Sequence, residues 1–240
     1  MALLEVRAIA KSFRGLKAVG GVSFAVDPGR IAALIGPNGA GKTTCFNMIA
    51  GALAPDAGEV RFAGARIDRL RPDQICAAGI GRTFQLVKPF AALSVLDNVI
   101  VGALNRTRRS AEARARALEV LEQLGLAGRR DQPAATLTLA DRKRLEVARA
   151  LATGPKLLLL DEVMAGLRPT EVDQLVAVFR RINGETGLTI LLIEHVMRAV
   201  MALAREIHVL HHGELIASGA PEEIVRHPAV LACYLGAGPP

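Results

Sequence analysis

Apolar residues fall along this chain in short runs separated by turn formers and helix-patterned stretches. Positions 22–26 and 31–35 read as strands, divided by the turn Asp27-Pro28-Gly29. Beyond 35 the chain passes through GPNGAGKTT, and a helix is predicted from about 42 to 52. Positions 59–62 form another short strand-like run. Leu157-Leu158-Leu159-Leu160 is too short for a helix and suits a central strand buried on both faces; 188–193 repeats that signature. Segments 207–210 and 214–217 flank His211-His212-Gly213, the pattern of a closing hairpin.

The middle differs. From Ser94 to about Leu126 no strand-like run occurs, and Ala117, Val120, Leu121 and Leu124 follow helical spacing. This predicts a helical insert in an α/β core whose sheet is parallel or mixed and covered by helices. One domain over 1–240 is expected, its core from 1–85 and 155–240 and its helical part from 86–154.

Composition narrows the partners. With 51% hydrophobic residues a sizeable core is available, and with 3% aromatics it must be aliphatic. That argues against a base-stacking RNA-binding sheet. The net charge of +7 leaves nucleic acid, an anionic membrane surface or a phosphorylated ligand. Cys45, Cys76 and Cys233 are far apart, which suits a reducing cytosol rather than a disulfide framework or zinc site. Glu5 and Arg7 interrupt the first apolar stretch, so no signal peptide is read there, and no run is long enough to span a membrane. Any membrane contact is expected to be peripheral. The arginines at 106, 108, 109, 114 and 116 are interspersed with Glu112 and Glu119 and lack aromatics, so a solvated helix face is expected rather than a nucleic-acid surface. His208, His211, His212 and His227 fit no ligand pattern.

Chemistry concentrates in two places. Gly36-Pro37-Asn38-Gly39-Ala40-Gly41-Lys42-Thr43, followed by Thr44, satisfies the G-x-x-x-x-G-K-[ST] pattern between a strand and a helix. Glycines let the backbone curl so that N–H groups converge on phosphate oxygens, and the helix start adds its positive end. Lys42 would reach the β- and γ-phosphates, and the Thr43 hydroxyl would take a Mg²⁺ position. A chance match in a chain of this composition has a probability of roughly 0.003, so a solvated glycine turn is a poor explanation. The second place is Asp161-Glu162, delivered at the end of the buried leucine strand, where ligands of open α/β sheets gather. Asp161 would hold Mg²⁺, and Glu162 would orient and deprotonate the attacking water.

Read together, GPNGAGKTT, Gln85 after a strand, LLLLDE and His195 closing LLIEH resemble, in that order, the nucleotide-binding subunits of ABC transporters, over essentially the whole chain. The resemblance implies a P-loop, RecA-like ATPase core with an inserted helical subdomain and an antiparallel β subdomain. It implies ATP and Mg²⁺ as cofactors. Gln85 then looks like the residue that touches Mg²⁺ or water and reports to the membrane partner. His195 looks like the histidine on the γ-phosphate, and Phe13 like the aromatic that stacks on adenine. GIGRTFQLVKPFAALSVLDNVIVG, LIEH and GAPEEIVRHPAVLACYLG are similar to one of the two ATPases of branched-chain amino acid importers. An amide or urea importer and the lipopolysaccharide exporter are the nearest alternatives. A soluble ABC-type ATPase of DNA repair or translation and a small-molecule P-loop kinase are more distant ones.

The family's Leu-Ser-Gly-Gly-Gln signature aligns with Leu137-Thr138-Leu139-Ala140-Asp141, so Thr138 and Ala140 become candidates for a nucleotide held by a second subunit. Ala140 replaces a glycine, and Asp141 is expected to bring negative charge to that nucleotide. Val163 stands where the family has proline, and Arg168 where it has an acid crossing the dimer interface. These departures leave two readings open: the site borrowing this signature turns over more slowly than the site built on Lys42 and Glu162, or the altered signature works normally in this subfamily. The implied partners are a second ATPase subunit, in a heterodimer or homodimer, transmembrane permease subunits and, indirectly, a periplasmic binding protein, with no nucleic acid. The implied location is the cytoplasmic face of the bacterial inner membrane.

Overall fold

The computed structural model describes residues 2–84 and 89–235. Strands β1 (Leu4–Phe13) and β2 (Leu16–Val26) form a hairpin closed by Arg14 and Gly15, both at positive φ, which matches the twist of the two strands. Next come β3 (Ile31–Ile35), α1 (Lys42–Ile49), β4 (Ala57–Phe62), β5 (Ala65–Arg66), α2 (Pro72–Ala78) and β6 (Ile80–Arg82). Helices α3 (Val95–Ala103), α4 (Ser110–Gln123) and α5 (Leu139–Ala152) follow and pack on one another. The chain ends with β7 (Leu157–Asp161), α6 (Pro169–Thr186), β8 (Thr189–Ile193), α7 (Met197–Leu203), β9 (Glu206–His211), β10 (Glu214–Gly219), α8 (Pro221–Ile224) and α9 (Pro228–Leu235).

Two sheets organise these elements. The antiparallel one runs β2-β1-β4-β5, and the larger one β10-β9-β3-β8-β7-β6, parallel except for the β9–β10 hairpin. Side chains alternate across the larger sheet. Ile31, Ala33, Ile35, Leu158, Leu160, Ile190 and Leu192 join a core with the helices α3 to α7. Ala32, Leu34, Leu157, Leu159, Leu191 and Ile193 join another, with α1 and the antiparallel sheet. A strand covered on both faces has no polar position to alternate with, which is why the leucine run carries no period-two signal.

Several expectations need adjusting. The helix predicted to reach 52 stops at Ile49 because Gly51 turns the chain at φ 69°. The first strand, β1, has too irregular an alternation to be read in advance; its register shifts three times against β2. Arg106 is exposed but lies between α3 and α4 and is tethered. Its guanidinium donates to the carbonyls of Ala77, Thr153 and Gly154, at the C-terminal ends of α2 and α5. Arg109 and Arg116 pair with Glu112 and Glu119.

His208 on β9 is buried against Phe24 (centroids 4.8 Å apart), with Nδ1 2.9 Å from Ser218 Oγ. Burial lowers its pKa from 6.5 to about 4. The folded state therefore binds fewer protons than the unfolded chain between those pH values, and stability present above pH 6.5 is lost as pH falls toward 4. At about 1.4 kcal/mol per tenfold change in proton concentration, the loss is on the order of 3 kcal/mol. Urea unfolding as a function of pH is expected to show a shallower acid decline for His208→Gln. Parallel profiles for variant and wild type would refute this.

Candidate active site

Because β3, β8, β7 and β6 are parallel neighbours, their C-terminal ends deliver residues to one edge of the sheet. From β3 comes the loop 36–43. Gly36 has φ 148°, and a Cβ there would stand 2.0 Å from the Leu210 carbonyl oxygen. Gly41 has φ 100°, and its Cβ would meet Ala18 O at 2.6 Å. Both positions therefore exclude side chains on two grounds. The first amides of α1 have no intrahelical acceptor and are open to an anion. Lys42 is buried, and its Nζ donates to Gly36 O (2.7 Å) and Pro37 O (2.9 Å), folded over its own loop. Burial lowers its pKa, against the opposing fields of Glu162 and Asp161.

From β7 come the two carboxylates. Asp161 is buried, its N–H donates to Thr83 Oγ1, and its Oδ2 accepts from Arg82 Nη2 at 3.1 Å. Arg82, at the end of β6, also donates to Asn47 on α1. Burial raises the Asp161 pKa, and the Arg82 guanidinium pulls it back. Its Oδ1 is buried without a hydrogen-bond partner. An unsatisfied carboxylate oxygen beside a phosphate loop fits a hard divalent cation such as Mg²⁺. From β8 comes His195, whose Nε2 lies 2.7 Å from Glu162 Oε1. These residues meet in a cleft of about 500 Å³ lined by Ala18, residues 38–44, Glu162 and His195. A larger space, about 610 Å³, lies around Arg180 and Arg205 at the opposite end of β3; it holds none of the predicted chemistry.

The cleft thus brings together Asn38, Gly39, Ala40, Gly41, Lys42, Thr43, Thr44, Glu162 and His195, with Gly36 and Pro37 accepting from Lys42. Phe13 does not line it. That residue stands at the β1–β2 turn, 47% exposed, and so is not a core side chain. Gln85 lies outside the described residues. Thr138 is the N-cap of α5 and Ala140 lies in its first turn. Asp141 is folded back: it accepts from the Thr138 hydroxyl at 2.8 Å and pairs with Arg129 at 2.5 Å, so its charge is already compensated. Arg168 pairs with Glu171 at the start of α6. Three residues around Glu162 and Asp161 escape a sequence reading: Arg82, Lys143 and Glu194. The available signal was a charge ending an apolar run, as in LLIEH and GIGR.

A glycine-rich loop, a lysine folded over it and two carboxylates at the end of one parallel strand define a phosphate-loop nucleotide-binding domain. Residues 19–165 match the ABC transporter family, and residues 214–239 match the branched-chain amino acid ATP-binding cassette transporter family. The chain is 38% identical to the high-affinity branched-chain amino acid transport ATP-binding protein BraF of Pseudomonas aeruginosa, over 98% of each protein. It is 37% identical to the lipopolysaccharide export system ATP-binding protein LptB of Escherichia coli, also over 98% of each. The ADP conformation of MJ1267, an ATP-binding cassette of an ABC transporter, superposes with a TM-score of 0.89 at 31% identity, covering 99% of this chain and 100% of that one. The chain belongs to the ABC transporter family, as an ATP-hydrolysing cassette. Among the described residues no helix is long and apolar enough to cross a membrane.

Proposed function

We propose that this chain binds ATP with Mg²⁺ in the 36–44 cleft and hydrolyses it to drive import of branched-chain or related hydrophobic amino acids through a membrane permease. The observation that carries the hydrolytic part is the Glu162–His195 contact at 2.7 Å on the rim of the phosphate loop. On this reading the loop amides and the start of α1 bind the phosphates, and Lys42 exchanges its two carbonyl partners for phosphate oxygens. Asp161 and the Thr43 hydroxyl hold Mg²⁺, which when bound would neutralise phosphate charge. Glu162 takes the proton of the attacking water, and His195 keeps that carboxylate oriented while facing the γ-phosphate. Phe13, presented on the hairpin whose second strand supplies Ala18 to the cleft, serves as the adenine platform.

Partner contacts have support in exposed apolar surface. Leu139, in the first turn of α5, is 45% exposed, which suits a signature segment covered by a second cassette. Phe84, which lines a common groove with the exposed Val101, and Phe90 are both exposed. They flank the segment containing Gln85, which we assign to the permease. Phe84 lies 5.4 Å from the Arg82 guanidinium, which pairs with Asp161, so one aromatic contact leads from this surface toward that carboxylate; Phe90 lies 4.8 Å from the Arg149 guanidinium.

Identity alone does not separate importer from exporter, at 38% against 37%. The RTFQ sequence at 82–85 favours the importer. The assembly of this chain with its partner cassette, permease and binding protein, reconstituted in liposomes, is expected to hydrolyse ATP several-fold faster when the binding protein carries leucine, isoleucine or valine. Stimulation by lipopolysaccharide instead would transfer the assignment to export.

A further inference from the structure

Glu162 has φ 51°, a left-handed conformation uncommon for a non-glycine residue, and its surroundings hold it there. Two groups supplied from outside its loop do so. The Lys143 ammonium donates to the Glu162 carbonyl at 2.7 Å, and Glu194 Oε1 accepts from the Met164 N–H at 2.8 Å. Backbone bonds complete the frame, from Glu162 N to Ile193 O and from Ala165 N to Glu162 O. Lys143 is 6% exposed and Glu194 1% exposed. Burial holds the lysine below its ordinary pKa and pushes Glu194 up to about 7.

We propose that Lys143 and Glu194 are positioning residues for hydrolysis, fixing the backbone at 162–164 so that the Glu162 carboxylate stays against His195 and the cleft. This rests on the ATPase reading above. Stability alone gives no reason for a lysine at 143. Burying an ammonium with one hydrogen bond, even beside the carboxylates of Glu194, Glu162 and Asp161, is often no more favourable than packing the whole cluster with apolar side chains. Geometry does give a reason: Lys143 lies on α5, whose N-cap Thr138 opens the signature segment. One side chain thus joins the hydrolytic loop of this chain to the helix offered to a second subunit.

The test compares kcat, nucleotide affinity and thermal stability of the full chain. Lys143→Met is expected to lower kcat about 100-fold, as misplacement of a reacting group by an ångström does. Its equilibrium affinity for a fluorescent ATP analogue should stay within about threefold at a temperature below unfolding, and its melting temperature should fall, because the Glu162 carbonyl loses its donor and Glu194 its opposite charge. Lys143→Arg keeps a donor and should recover most of the loss, whereas Glu194→Leu should behave like Lys143→Met. Added to Glu162→Gln, Lys143→Met should lower turnover no further, because it acts through the carboxylate already removed. Wild-type kcat in Lys143→Met or in Glu194→Leu would overturn the proposal. So would equal losses of kcat and affinity, or a Lys143→Met effect that multiplies with that of Glu162→Gln. If wild type fails to hydrolyse ATP, or Glu162→Gln matches it, the ATPase reading fails instead.

Discussion

Glu162→Gln is expected to lower kcat for ATP hydrolysis by about 10²–10⁴-fold, the range typical of losing a positioned general base. The substitution is close to isosteric. A carboxamide can still meet His195, and the bonds that hold the local backbone come from Ile193, Lys143 and Ala165 and not from the Glu162 side chain. Only the capacity to accept a proton is lost. Nucleotide affinity should therefore hold within a few-fold while turnover collapses, and a stable ATP-bound dimer should accumulate on a sizing column. Steady-state turnover alongside equilibrium nucleotide binding checks both halves. If most turnover survives, proton abstraction by Glu162 is wrong.

The same variant bears on the paired sites. The signature sequence predicted that Asp141 would present negative charge to a nucleotide on the second subunit. In the structure Arg129 and the Thr138 hydroxyl absorb that carboxylate. Thr138 and Asp141 instead form a helix cap, the side chain of one meeting the backbone of the other. The remaining reasons to expect a slower borrowed site are Leu139 and Ala140 in place of two glycines, together with Val163 and Arg168.

What could be read from the sequence follows the range of the interactions. The phosphate loop was legible because its chemistry is local: glycines at 36, 39 and 41 and a lysine at 42 fix a turn and a helix start without help from elsewhere. The leucine strand was legible because burial on both faces leaves an apolar run with no period. Arg82, Lys143 and Glu194 were not, since each gains its role only when parallel strand order sets β6 and β8 beside β7 and lays α5 beneath them. Arg106 stays exposed, and its tethering was hidden for the same reason. In sequence it is one arginine among five, and in space it closes the ends of two helices.

The central claim is that the 36–44 loop is an ATP site whose lysine is indispensable. Lys42 is one of the loop's few charged neighbours, buried, with Nζ 2.7 Å from Gly36 O in a position to swing onto phosphate oxygens. No other side chain of residues 36–44 carries positive charge. Alanine there would remove the ammonium and leave the glycine turn, whose shape comes from backbone dihedrals, in place. The most direct measurement is Mg²⁺-dependent ATP hydrolysis by Lys42→Ala beside wild type, with fluorescent ATP binding on the same preparations. Loss of more than about 100-fold in turnover, with weakened binding and an unchanged melting temperature, is the predicted result. A Lys42→Ala protein that binds and hydrolyses ATP as wild type does would contradict the account.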